Sequence, residues 1–248
     1  QTKLLRDANG NVVMRSTGNG ANLQSTYYAY DANRRLAYEM DAEGSVTAYA
    51  YDANNRVSGI IHYAQRSKLS PSSTPFTQEQ IAASLTPDAL RDTVQRTLYD
   101  KDGRVMASIA ADGGITQPIQ YDAAGRVIEQ IRYAKALPPQ IVKSAIQDGM
   151  SAQAFKELMI AQGIAEPAKD QHQRFIYDAR GNLTASATLM QIQDGQAQWS
   201  VVSQRFDGNG NLLLRRAYQA VLFGSVTGSA PTAIAINSFI TANDVKSA

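Results

Sequence analysis

Apolar and polar residues alternate over short runs through much of this chain. In Ser45-Val46-Thr47-Ala48-Tyr49-Ala50-Tyr51, Val46, Ala48 and Ala50 share one face and Thr47, Tyr49 and Tyr51 the other. That period of two belongs to a strand with one side buried. Turn residues break the runs about ten residues apart, as at Asp31, Asp41 and Asp52, leaving strands of roughly five or six residues. The pattern predicts an antiparallel β-meander.

Helical spacing interrupts the alternation twice. Thr77-Gln78-Glu79-Gln80 reads as a capping box ahead of Ile81 and Leu85, and Thr86-Pro87-Asp88 as an N-cap with proline at the first helical position before Leu90 and Val94. Two short helices are expected there. A second pair is expected from Pro139 to Asp148, with Ile141, Val142, Ala145 and Ile146 at helical spacing, and from Ser151 through Phe155, Leu158 and Met159 to Gly163. Helices this short depend on packing, so Ile81, Leu85, Leu90 and Val94, and likewise Ile146, Phe155, Leu158 and Met159, should face the sheet or a partner helix. The stretch Thr232 to Thr241 is almost uncharged and reads as a sticky tail.

The turns repeat. Asp-x-x-x-x-Val/Leu recurs from Asp7, Asp31, Asp41, Asp52, Asp100, Asp122, Asp178 and Asp207. Tyr30, Tyr51, Tyr99, Tyr121 and Tyr177 precede five of these aspartates, and Phe206 precedes Asp207. The fourth residue is Gly10, Gly44, Gly103, Gly125, Gly181 or Gly210, Asn55, or the misfit Arg34. Glycine and asparagine accept positive φ at little cost, so this position is expected to be left-handed, with the leading aspartate bonding forward to backbone N–H groups. A longer repeat is visible in Arg56 to Ala64 against Arg126 to Ala134, with a weaker copy from Asn211 to Tyr218.

These residues resemble the YD-repeat, or RHS-repeat, family, most closely at Tyr99-Asp100-Lys101-Asp102-Gly103-Arg104-Val105 and Tyr121-Asp122-Ala123-Ala124-Gly125-Arg126-Val127. The resemblance implies a mainly β, extracellular scaffold of stacked hairpins in a spiral sheet or shell segment, here with two α-helical hairpin insertions. In that family such shells enclose or present another module. No Asp-Pro-rich self-cleaving segment of the kind that ends a toxin shell is found in the sequence. The expected division is repeat hairpins over 1–64, 97–134 and 174–218, helical inserts over 65–96 and 135–173, and a tail over 219–248, with the start of a third insert as one reading of it. A first residue other than Met and an end without a clear stop read as a piece cut from something longer.

Composition and candidate chemistry narrow the function classes. With 24 Lys+Arg against 22 Asp+Glu, scattered along the chain, there is no basic stripe for nucleic acid. No apolar run reaches a membrane span, and the absence of cysteine excludes disulfides and thiolate metal sites. Asp7-x-Asn9-x-Asn11, Asp207-x-Asn209-x-Asn211 and Asp100-x-Asp102 begin like calcium loops. Counting from Asp207, however, Leu212 and Tyr218 stand where glycine and glutamate are required. His62 and His172, the two histidines, read as ordinary strand or loop residues, and no nucleophile elbow or phosphate loop is present. No catalytic, cofactor-binding or metal-binding residue is therefore expected. The expectation is a non-catalytic segment of a large secreted or cell-surface protein, forming a shell wall, stalk or filament, with neighbouring repeats or like subunits as partners. The alternatives are an adhesin segment binding glycan or protein through its Tyr faces or inserts, and part of the encapsulating shell of a polymorphic toxin around an enclosed C-terminal module.

Overall fold

A computed structural model describes residues 1–19, 23–146, 149–225 and 230–244. The strands are β1 (Thr2–Arg6), β2 (Val12–Thr17), β3 (Gln24–Tyr30), β4 (Leu36–Met40), β5 (Val46–Tyr51), β6 (Val57–His62), β7 (Thr93–Tyr99), β8 (Val105–Ile109), β9 (Ile115–Tyr121), β10 (Val127–Arg132), β11 (Gln171–Tyr177), β12 (Leu183–Gln193), β13 (Gln196–Phe206), β14 (Leu212–Ala217) and β15 (Leu222–Ser225). The helices are α1 (Gln78–Ser84), α2 (Pro139–Ser144), α3 (Ala152–Ala161) and α4 (Ala233–Asp244). From β1 to β14 each strand bonds to the one before and the one after it in the chain, and β15 bonds to β13. The expected meander is the fold.

Contacts divide the chain into two compact units. One is Gln1–Leu98 with Ile109–Gly113 and Pro138–Met150, and the other is Tyr99–Ser108 with Gly114–Leu137 and Ser151–Ala248. In the first, Met14, Tyr27, Ala29, Met40 and Val46 form a buried face that is closed by Ile81 of α1. The capping box holds that helix as the sequence indicates, with the Thr77 hydroxyl accepting from the Gln80 amide and the Gln80 side chain accepting from the Thr77 amide. In the second unit, Ala185, Ala187, Ala197, Trp199 and Val201 form a buried face closed by Ile236 of α4. The apolar stretch read as a sticky tail is thus a helix on β13, and burying Ile236 contributes roughly 1.5–3 kcal/mol.

The helix expected from Thr86-Pro87-Asp88 does not form, so the first insert carries one helix rather than a helical pair. The Asp88 carboxylate accepts from the Leu90 and Arg91 amides, which closes a single turn. Asp92 ends it by accepting from the Asp88 amide at 2.8 Å. Thr93 to Tyr99 then alternates as a strand, so Val94 is buried within β7 while Leu90 is 81% exposed. In the second insert two helices form where two are expected, the first ending at Ser144 rather than running to Asp148, which lies outside the described residues. Ser151 caps α3 by accepting from the Ala154 amide, Gly149 is left-handed, and Val142, Ile146, Phe155 and Met159 are buried.

Candidate functional site

The repeated turn gathers charge, aromatic rings and left-handed backbone in a fixed geometry. All eight fourth residues have positive φ, including Arg34 at 62° and Asn55 at 63°. Each turn closes in the same way. At Asp122, for example, the Gly125 amide donates to the Asp122 carbonyl at 3.0 Å and the Asp122 amide to the Arg126 carbonyl at 2.9 Å. This is a type I turn followed by a left-handed residue, and the strand register slips at the preceding aromatic, as between Ile176 and Tyr177.

The leading carboxylate locks the turn. In all eight, one oxygen accepts from the amides two and four residues on; at Asp52 these are Asn54 and Arg56, both at 2.9 Å. In seven, the other oxygen accepts from the side chain of the fifth residue, which is Arg35, Arg56, Arg104, Arg126, Asn11, Asn182 or Asn211. Those seven aspartates are all held below the ordinary carboxylate range. The side-chain bond from asparagine leads at Asp7, Asp178 and Asp207, and the Arg126 amide leads at Asp122. At Asp31, Asp52 and Asp100 desolvation, the largest influence, raises the value, and the hydrogen bonds and charge of the arginine, with the amide two residues on, together outweigh it.

Four of the five tyrosines that precede these aspartates reach back to an earlier turn. Tyr30, Tyr51, Tyr121 and Tyr177 donate their hydroxyls to the carbonyls of Val12, Leu36, Val105 and Val127, at 3.0, 2.9, 2.6 and 3.2 Å. The acceptor is always the residue that follows the fifth position of the earlier turn. Arg35, Arg104 and Arg126 lie over the rings of Tyr51, Tyr121 and Tyr177, 4.6, 5.2 and 4.7 Å from the ring centres. These four tyrosines are therefore packing elements with their hydroxyls on backbone. These turns all connect an odd-numbered strand to the next even one, whereas the Asp41 turn, preceded by Met40, joins β4 to β5 at the opposite end of the strands.

A second repeated device escaped the sequence reading. Asp92 and Asp170, both buried, close the inserts by accepting from the amides of Ala64 and Ala134 with one oxygen, at 2.8 and 3.0 Å, and from Asp88 and Glu166 with the other. Each stands seven residues before a Tyr-Asp pair, and that constant spacing is the signal that could have exposed it. The long repeat has its own anchor: the Tyr63, Tyr133 and Tyr218 amides donate to the carbonyls of Val46, Ile115 and Val201 at 3.0, 3.0 and 3.1 Å.

The remaining candidates are accounted for. His62 ends β6, exposed, with Nδ1 3.0 Å from the Thr47 hydroxyl. His172 lies buried in β11, where desolvation lowers its pKa against the opposing pull of Glu129 and Asp170. In the calcium-like runs at Asp7 and Asp207 the carboxylate oxygens bond their own turns. Among the described residues no group of three or more His, Cys, Asp or Glu is arranged to hold a metal, and no helix is long and apolar enough to cross a membrane. A cleft of about 560 Å³ opens in the first unit beside Tyr28, Tyr30 and Phe76, with Arg6, Asp31 and Glu79 at its polar walls.

No protein-family model matches the chain, and no curated protein matches it. Three solved structures illustrate the likeness found. The crystal structure of TcdB2-TccC3 and that of TcdB2-TccC3-Cdc42 each align with 92% of this chain at a TM-score of 0.40 and 13% identity. The Photorhabdus luminescens Tc holotoxin pore with a TccC3 mutation aligns with 86% at a TM-score of 0.38 and 13% identity. The chain spans 13%, 13% and 11% of the length of those chains. At that identity and overlap no residue role passes from them to this chain.

Proposed function

We propose that this chain is a non-catalytic structural segment of a larger secreted or cell-surface protein of the YD-repeat kind, a wall of stacked hairpins. The observation that carries this reading is the tyrosine ladder. The Asp, Arg and Tyr of the repeat, which are its chemically capable groups, are spent on closing each turn and fastening the next hairpin. Groups committed in this way stiffen a wall; a reaction or a ligand would have to pull them from their partners. Within this reading the wall is a stalk, a filament or part of a shell around another module.

A second reading, a binding segment, is favoured by the cleft beside Tyr28, Tyr30 and Phe76, whose lining of aromatic and charged residues suits a sugar or a peptide. One experiment separates the two. The wild-type chain is screened on immobilised glycans and on general hydrolase substrates, and the Y51F/Y121F/Y177F variant is unfolded thermally in parallel. The wall reading expects a clear drop in the variant's melting temperature and neither ligand nor turnover for the wild type. A glycan lost on Phe76→Ala would establish the binding reading, and turnover dependent on any repeat residue would overturn both.

A further inference from the structure

The sheet face that Ile81 closes in the first unit is apolar along one row and polar along the next. Strand register sets Leu5, Met14 and Tyr27 side by side across β1, β2 and β3, with Met40 beyond them on β4. Two residues along the strands, the neighbouring row on the same face reads Lys3, Ser16 and Ser25. Ser16 is 2% exposed, and its hydroxyl lies 2.8 Å from that of Ser25. Hydroxyls withdrawn from water cost stability unless they are hydrogen-bonded. The two serines satisfy one bond between them, which leaves one hydroxyl proton and several lone pairs, and among the described residues neither side chain has another partner.

That polar row lines a cavity of about 430 Å³. Another wall of the cavity is the insert segment Pro71 to Ser73, and this wall is fixed to the sheet: the Tyr27 hydroxyl donates to the Ser72 carbonyl at 2.7 Å and accepts from the Ser72 amide at 2.8 Å. Leu23, 52% exposed, and Pro71 add apolar surface to the lining. Two charged side chains complete it. Glu43 is engaged by Arg66 at 2.8 Å, whereas the Lys3 ammonium has no carboxylate partner among the described residues. Hydroxyls, a small apolar wall and one uncompensated cation thus converge on a preformed space.

We propose that this cavity binds a carboxylate-bearing sugar ring, of the uronic acid class. The carboxylate meets the Lys3 ammonium, ring hydroxyls take up the remaining proton and lone pairs of Ser16 and Ser25, and the C–H face of the ring lies on Leu23 and Pro71. A bare anion would leave the serines and the apolar wall unused, and an apolar ligand would leave the serines and Lys3 without partners. None of these residues belongs to the tyrosine ladder, so occupancy pulls no turn apart. The proposal rests on the binding reading and deepens it, naming a ligand class and a site other than the Phe76 cleft.

Sodium glucuronate, glucose and sodium acetate are titrated in turn into the intact chain and followed by backbone amide chemical shifts. Expected is saturable binding of glucuronate, tighter than that of glucose or acetate, with shifts gathered at Lys3, Ser16, Ser25 and Ser72. Lys3→Gln should weaken glucuronate about 2- to 5-fold and leave glucose unchanged, the value of an exposed charge pair. Ser25→Ala should weaken both sugars about 2- to 10-fold, the value of one hydrogen bond. Ser25 is only partly buried, and an unchanged spectrum away from the cavity checks that this variant keeps the fold. Acetate or glucose binding as tightly as glucuronate, shifts that do not saturate, or undiminished glucuronate binding by Lys3→Gln would overturn the proposal. Should glucuronate leave this row unmoved while another sugar is captured at Phe76, the site proposed here fails and the binding reading stands.

Discussion

Among the seven turns that join an odd-numbered strand to the next even one, two classes differ at the fifth residue. Where the fifth residue is Arg35, Arg104 or Arg126, the side chain bonds its own aspartate and then covers the tyrosine of the next hairpin. Where it is Asn11, Asn182 or Asn211, the amide bonds the aspartate equally well, at 3.0, 2.9 and 2.8 Å, but is too short to go further. The hairpin after Asn182 has also lost the hydroxyl, carrying Phe206 where the others carry tyrosine. Closing a turn and coupling it to its neighbour are thus separable functions. Asparagine performs the first and arginine performs both.

Acid should break both classes together, and this is the largest effect expected. Asp7, Asp31, Asp52, Asp100, Asp122, Asp178 and Asp207 all titrate below their ordinary value of 3.8 in the folded chain. A depressed carboxylate contributes stability that is complete above its unfolded value and is lost as the pH falls through the folded one. Melting temperature should therefore fall steeply below about pH 4. His172 adds a shallower slope above that: burial lowers its pKa from 6.5, so the unfolded chain binds its proton first and stability declines as the pH drops below 6.5. A melting curve flat down to pH 3 would contradict the carboxylate account.

Next come the left-handed sites, which the two classes share. An added Cβ at Gly125, in an arginine turn, and at Gly10, in an asparagine turn, meets nothing within 4 Å. Replacement by valine there tests backbone conformation alone. Gly125→Val and Gly10→Val should each cost about 1–3 kcal/mol in chemical denaturation. Unequal losses would mean that the classes differ in closure as well as in coupling.

Much of this was legible in the sequence because it is local. The left-handed fourth residue, the forward-bonding aspartate and the Thr77 capping box all act within five residues, where a pattern repeats visibly. The arginine cover was not, since Arg126 and Tyr177 meet across an insert and 51 positions, and nothing near either residue announces the other. Two turns were missed for opposite reasons. Ala110-Ala111-Asp112-Gly113 lacks the leading aspartate yet still turns with Gly113 at φ 83°. Asp194-Gly195 carries the common two-residue hairpin signal but stands outside the repeat. The helix expected after Thr86 stops at the single Asp88 turn that Asp92 closes, because the strand alternation of Thr93 to Tyr99 and its pairing with β6 prevailed.

Coupling itself is sharpened by exchanging aromatics between the classes. Tyr177→Phe removes the hydroxyl from the Val127 carbonyl and should cost about 1 kcal/mol, whereas Phe206→Tyr offers a hydroxyl beside Leu183 and should regain part of that amount. A double-mutant cycle between Arg126 and Tyr177, each replaced by an apolar residue, should give a coupling of about 0.5–1 kcal/mol. Zero coupling would reduce the arginine to a turn residue like asparagine.

The smallest effect expected is at Arg34, and its sign is informative. Arg34 is held at φ 62° in a position that elsewhere is mostly glycine, a conformation costing an L-residue about 1–2 kcal/mol. Glycine relieves that strain in the folded state but gains freedom in the unfolded one, which opposes folding by about 0.4–1 kcal/mol. The difference leaves Arg34→Gly neutral to about 1 kcal/mol stabilising. Arg35, the next residue, already bonds Asp31 and covers Tyr51, so coupling in this turn does not depend on Arg34. Urea denaturation of the single variant decides the matter. A gain, or no change, fits a turn whose left-handed site only has to tolerate its side chain. A loss above 1 kcal/mol would show that the Arg34 side chain itself fastens neighbouring hairpins, and the division between the two classes would have to be drawn at the fourth residue as well as the fifth.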